Sequence, residues 1–233
     1  MPHSVSPPNE SCVDKPPKMK LVLSRVEEKD WDELLEVEYE AFKSVDIHQA
    51  LFGPNTKENR KLVKEHFMAD SKSDISDCWM KLVDETTGRI VSAAQWKIYP
   101  SWTEKKVEPF QAPFYEGKQR TDAEHLANDF IARRQKYQYG SPHVLLYILF
   151  THPDYQRCGA GSIHVKWGTD LADRLLVPTW VEASPDGHHL YESNGFRDVE
   201  KVYIQTESWL ADYTIMKRPP KTSFEAGRSI VLS

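Results

Sequence analysis

The hexapeptide Gln156-Arg157-Cys158-Gly159-Ala160-Gly161 lies between an apolar run and an amphipathic segment, and it holds the residue types that grip a phosphate. A strand that hands such a turn to a helix N-terminus leaves the first-turn N–H groups free, at the partly positive end of the helix dipole. Glycine at 159 and 161 lets the main chain approach an anion with no Cβ in the way. Arg157 adds a full charge and a forked donor. Gln156 braces the turn, and the N–H groups of residues 157–161, those of Cys158 and Ala160 included, supply the donors. Cys158 lies where a helix N-terminus lowers a thiol's pKa, yet it reads as part of the loop rather than as a nucleophile. His188-His189 has no third ligand at metal spacing, so it reads as solvated surface and no metal is expected. The chain contains no Gly-x-x-x-x-Gly-Lys-Ser/Thr, which argues against an ATP-cradling loop of that kind.

The elements that must position this turn are legible on both sides of it. Val144–Phe150 is nearly continuous in apolar residues, as a buried central strand requires. Ser162–Leu175 carries Ile163, Val165, Trp167, Leu171, Ala172 and Leu175 at helical spacing. Thr179–Ala183 reads as the next strand and Asp186–Asn194 as a short helix stopped by Gly195. Arg197–Gln205 and Asp212–Lys217 read as a closing antiparallel pair. Toward the N-terminus, Lys20–Val26 reads as a first strand, and Asp30 as the N-cap of a helix running to about residue 43. Gly53-Pro54-Asn55-Thr56 breaks the chain before a second helix over Lys57–Ala69. Cys78–Asp84 and Arg89–Tyr99 form a hairpin around Glu85-Thr86-Thr87-Gly88. Residues 100–142 hold Trp102, Phe110, Phe114 and Tyr115 in a Pro-interrupted stretch, then a helix over Asp122–Tyr139. A connection this long is usually a lid or otherwise functional.

Composition narrows the choice. With 233 residues and 39% hydrophobic content, one domain over residues 19–218 is expected, after a Pro- and Ser-rich disordered leader (1–18) and before a loose tail (219–233). A net charge of −5 and a pI near 6.0 argue against a nucleic-acid partner. Cys12, Cys78 and Cys158 form neither a disulfide framework nor a zinc pattern, so reduced, cytoplasmic surroundings are expected. The leader has no apolar core of a secretory signal, and no stretch approaches the roughly 18 apolar residues of a membrane span.

On residues 143–196 the chain resembles the GNAT family of acetyl-coenzyme A-dependent N-acyltransferases. Residues 156–161 satisfy the family loop Gln/Arg-x-x-Gly-x-Gly/Ala, and Thr151-His152-Pro153-Asp154-Tyr155 is similar to the Pro-containing turn before it. Leu190-Tyr191-Glu192-Ser193-Asn194-Gly195-Phe196 is similar to the second signature, a short helix ending in Gly-Phe. The segment also resembles many fungal members of unassigned substrate. The resemblance implies an α/β (α+β) fold, a mixed and mostly antiparallel central sheet flanked by helices, though the helical insertion over about 100–142, before the fourth strand, departs from the family's short connection there. It implies acetyl-CoA as cosubstrate, an amine as acceptor, and a monomer or homodimer.

The resemblance also implies roles. The fourth and fifth strands splay, so main-chain groups of Leu149 and Thr151 face the pantetheine arm, and Phe150 between them is counted among the cofactor-binding residues. The N–H of Leu149 faces the thioester carbonyl as an oxyanion-hole donor. Tyr191 holds the position of the acid that protonates the departing thiolate, for which a phenol of pKa near 10 is suited. Ser184 stands where relatives carry a cofactor-contacting Asn. Some protein-directed relatives carry a fourth-strand Glu; Leu145 stands there and cannot take a proton. Glu182 is the first choice of base, with Glu124, His125 and Asp129 as alternatives, and an acceptor of low amine pKa would need none. The aromatic insertion is expected to wall a pocket for a small primary amine. A protein or peptide acetyltransferase and a non-catalytic acyl-CoA sensor are the rival readings.

Overall fold

The computed structural model describes residues 20–102 and 108–221; the leader expected over 1–18 and most of the expected tail lie outside them. Alternating and continuous apolar runs give seven strands: β1 (Leu21–Arg25), β2 (Asp77–Asp84), β3 (Ile90–Tyr99), β4 (His143–Thr151), β5 (Thr179–Ala183), β6 (Arg197–Gln205) and β7 (Leu210–Arg218). They form one sheet in the order β1-β2-β3-β4-β5-β7-β6, antiparallel at every step except β4–β5. Six helices flank it: α1 (Trp31–Ala41), α2 (Asp46–Phe52), α3 (Lys57–Ser73), α4 (Gly117–Tyr137), α5 (Ala160–Leu175) and α6 (Pro185–Ser193). The expected α/β architecture is the observed one. No helix among the described residues is long and apolar enough to cross a membrane.

The parallel β4–β5 step requires a crossover, which α5 supplies. This helix packs Val165 and Ala172 onto Trp96, Leu146, Val181 and Met216. A Cβ on Gly168 would lie 2.1 Å from the fully buried Trp96 ring, so the indole rests against bare helix backbone. Burying an aromatic ring of that size is worth roughly 4–6 kcal/mol. Ile163 and Leu175, read as core positions, are each 36% exposed; buried His164, Val165 and Gly168 form the inner stripe instead. On the opposite face, α1 and α3 cover β2–β4 with Trp31, Leu34 and Phe67. There α4 and α2 cover β5–β7 with Leu126, Ala123 and Ala50.

Three local readings change. The short α2 lies where no helix was expected; its seven residues span too few turns to show a period. Helix α4 opens at Gly117, ahead of Asp122, because Lys118–Asp122 and Arg120–Glu124 pairs support its first turns. Asp30 precedes α1 but makes no cap; its carboxylate accepts the Glu27 N–H at 2.7 Å and pairs with buried Lys81. The aromatic insertion also differs from a lid. Phe110, Phe114 and Tyr115 pack into the core beneath α4, with the Tyr115 ring 5.0 Å from Trp209 and its hydroxyl bonded to the Gln49 carbonyl.

Candidate functional site

Pairing between β4 and β5 stops at Leu146 and Val181, although β4 runs on to Thr151 and β5 to Ala183. Beyond that rung each strand keeps only its outer partner, β3 or β7, and a fork opens. A bulge at Tyr147 sets what faces the gap, since Gln95 pairs with Ile148 and Trp96 with Leu146. Before the bulge the Val144 N–H points toward β5, donating to Pro178 at 2.9 Å. After it the His152 N–H points toward β3, donating to Val91 at 2.9 Å. Alternation in an antiparallel ladder then turns the N–H and C=O of Leu149 and Thr151 into the gap, and those of Phe150 toward β3. Without the inserted residue the parity would be reversed.

The turn at 156–161 closes the wide end of the fork. Arg157 adopts φ +62 and Gly159 φ +91, and Gly159 precedes α5 without a side-chain cap. Such left-handed residues tilt successive N–H groups into a concavity that suits an anion. The N–H groups of residues 157–162 donate to no group among the described residues, while that of Ile163 bonds Gly159 at 3.1 Å. A Cβ on Gly159 would meet nothing within 4 Å, so glycine is needed there for its φ. Gly161 differs: a Cβ there would lie 2.9 Å from Leu190 Cδ2, the movable end of a side chain on α6. Cys158 is exposed and its thiol donates to the Tyr155 carbonyl. Free donors, an open cradle and a gap with main-chain groups along one edge fit a diphosphate followed by an extended amide-bearing arm.

Tyr191 comes from α6 on the α5 side of the fork, within the cluster of Leu146, Val181 and Ala183. Its ring packs 5.8 Å from Phe196, and its hydroxyl bonds no described residue. Burial, and then the charge of Glu182, push its pKa above the usual phenol value. Ser184 caps α6, its hydroxyl accepting from the Gly187 N–H at 3.2 Å. His188 bonds Asp198 at 2.8 Å and His189 stands beside Glu192. Among the described residues no three His, Cys, Asp or Glu side chains group as metal ligands.

The opposite face of the fork holds Glu182, the first choice of base, among side chains that the sequence did not single out. The Glu182 side chain is only 5% exposed, and both its oxygens accept hydrogen bonds. Oε1 accepts from Arg134 Nε at 3.0 Å and Gln138 Nε2 at 2.9 Å, and Oε2 from Arg134 Nη2 at 2.9 Å. The Arg134 guanidinium lies between the rings of Phe130, at 4.4 Å, and Tyr147, at 4.2 Å. The other acidic groups offered as bases are also engaged. Glu124 holds the Ala112 N–H and Arg120, and Asp129 holds Arg133, while His125 points to solvent. Besides Glu182, the sequence carries one further signal for this cluster: Tyr147, the lone polar residue within the apolar run Val144–Phe150.

No family model and no curated protein matches the sequence. Solved structures do match by shape. Arylalkylamine N-acetyltransferase 2 from Aedes aegypti superposes with a TM-score of 0.60 at 12% identity, over 86% of this chain and 99% of that one. Histone acetyltransferase HPA2 and related acetyltransferase from Corynebacterium glutamicum gives 0.57 at 19% identity, over 88% and 98%. A GNAT superfamily phosphinothricin acetyltransferase from Sinorhizobium meliloti, in complex with AcCoA, gives 0.53 at 14% identity, over 87% and 89%. At these identities the likeness is one of architecture: the chain has the GNAT fold.

Proposed function

We propose that this protein is an acetyl-CoA-dependent N-acetyltransferase acting on the primary amine of a small molecule, by direct transfer in a ternary complex. The observation that carries the reading is the bulge-set parity of β4, which turns Leu149 and Thr151 main-chain groups into a gap that starts at a free-amide turn. Arg157 and the 157–161 N–H groups hold the diphosphate, Gln156 and Cys158 line the turn, and Ser184 borders the cofactor arm beside Tyr191. Free Cys78 and Cys158 fit a cytoplasmic setting.

In the reaction the acceptor nitrogen of the neutral amine bonds to the acetyl carbon, the carbon–sulfur bond breaks, and the thiolate takes a proton from Tyr191. The proton that the nitrogen sheds as it becomes an amide passes to water, and solvent returns one to the phenolate. The Leu149 N–H stabilises negative charge on the acetyl oxygen. A phenol held above its ordinary pKa arrives protonated across neutral pH, as a donor must. Glu182 is held by three bonds from Arg134 and Gln138, so we assign it first to holding the fork; the amine arrives neutral, its proton lost to water. Support for a small acceptor comes from α4, which seats Phe130 and Arg134 over Tyr147 and so closes one side of the fork.

The test is thiol release from acetyl-CoA with a panel of primary amines, run beside calorimetry with coenzyme A. Release with small amines is the expected result. Release only with histone or N-terminal peptides overturns the acceptor class. Absence of coenzyme A binding overturns the whole reading.

A further inference from the structure

We propose that Arg134 is a positioning residue that sets the width of the β4–β5 fork, and through it the alignment of the acyl carbonyl with the acceptor amine. The inference rests on the acyltransferase reading and goes beyond it. Leu146 and Val181 form the last rung between the strands. The next residue on each prong is Tyr147 on β4 and Glu182 on β5, and one guanidinium grips both. It stacks 4.2 Å over the Tyr147 ring and makes two bonds to Glu182, at 3.0 and 2.9 Å. Where the backbone rung is missing, a planar side chain from α4 takes its place.

Several features make this a fixed spacer. Arg134 is 5% exposed and pinned from behind by Phe130 at 4.4 Å. Gln138, one turn further along α4, holds the same carboxylate at 2.9 Å. Lysine could satisfy the charge, but it has neither a fork for two oxygens nor a plane to lie between two rings. Tyr147 is also the bulge residue that sets the parity of Leu149, so a shift of its ring shifts the main chain beside the thioester. Arg134 itself acts only through Tyr147 and Glu182.

The test compares wild type with Arg134→Lys in three readouts: coenzyme A affinity, kcat with acetyl-CoA, and the kcat/KM ratio of acetyl-CoA to propionyl-CoA. A misaligned fork predicts a kcat loss of roughly tenfold to hundredfold. Coenzyme A affinity stays within about twofold, because the phosphate turn is untouched. The acyl preference shifts toward the longer chain as the fork loosens. If Arg134→Lys folds poorly, Arg134→Gln combined with Glu182→Gln replaces the buried ion pair by a neutral one and gives the same three readouts. Wild-type kcat and acyl preference in the variant that folds would overturn the proposal, as would a loss of activity fully matched by lost coenzyme A binding. Failure of the acyltransferase reading looks different: the wild type itself would release no thiol with any amine.

Discussion

At its wide end the gap between β4 and β5 is bounded by main chain; at its closed end it is bounded by side chains buried under α4. The wide end offers N–H groups from residues 157–162, with Arg157 as its nearest charge, and it is exposed. The closed end is built from side chains: Arg134 and Gln138 donate to Glu182, and Phe130 and Tyr147 flank the guanidinium. A chain that binds an extended cofactor at one end and tunes chemistry at the other has reason for this division. Backbone donors tolerate sequence change and bind a constant group. A buried ion pair tolerates little change, because removing one partner strands the other's charge.

The sharpest way to separate the two ends is Tyr191→Phe. The hydroxyl is lost, the ring keeps its place beside Phe196, and neither end of the gap is disturbed. Loss of a general acid predicts a kcat reduction on the order of 100-fold, with coenzyme A affinity nearly unchanged. The checks are steady-state kinetics and calorimetry. An unchanged kcat would remove Tyr191 from the chemistry and leave it as a core residue.

That division also explains what was legible in the sequence. Main-chain sites announce themselves through local requirements: a glycine with positive φ, a helix start, a strand before it. The 156–161 turn, β5 and β6 were readable for that reason, whereas the part given to Tyr191 rests on the family resemblance. The closed end is assembled from residues 130, 134, 138, 147 and 182, whose juxtaposition depends on how α4 lies across the sheet. No local pattern encodes that, and Glu182 read as a free base because Arg134 lies 48 positions away. Phe110, Phe114 and Tyr115 were misread as pocket wall because aromatic content alone does not distinguish an inserted core from a lid.

Acid should weaken the wide end's helix first. His164 on α5 is fully buried with neither ring nitrogen in hydrogen-bond geometry, and burial drives its pKa to about 3, the Ser92 main chain opposing it. The unfolded chain takes up this proton near pH 6.5 and the folded one does not. Stability is therefore complete above the unfolded pKa and falls as pH drops toward 3, with a loss of about 2 kcal/mol by pH 5 from this residue alone. Urea midpoints between pH 7 and pH 5 measure it. His164→Leu should flatten that slope, and a slope unchanged by the substitution would show that another group is titrating.

Arg157→Ala probes the same end without touching the core. Losing one charged, exposed contact to a diphosphate predicts about a tenfold loss of coenzyme A affinity and a shallower salt dependence. Melting temperature should hold, since Arg157 is exposed and alanine meets the same left-handed backbone at φ +62. The preference for acetyl over propionyl chains should not move. If it does, the two ends are mechanically linked, and the division drawn above is too sharp.

The smallest effect is expected within the turn itself, where two glycines do different work. Gly161→Ala brings a methyl to 2.9 Å from Leu190 Cδ2, the far end of a flexible side chain that can turn aside. Alanine also favours the helix in which residue 161 lies, by up to about 1 kcal/mol. The two effects oppose, so a stability change below about 1 kcal/mol is expected, with coenzyme A affinity held. Gly159→Ala has open space around the new Cβ but φ +91 beneath it, a strain of about 1–2 kcal/mol or a tilt of the very N–H groups that face the anion. Calorimetry on the pair decides which glycine the phosphate needs. Stronger loss of binding at 161 than at 159 would mean that the anion sits over the helix face, not in front of the turn.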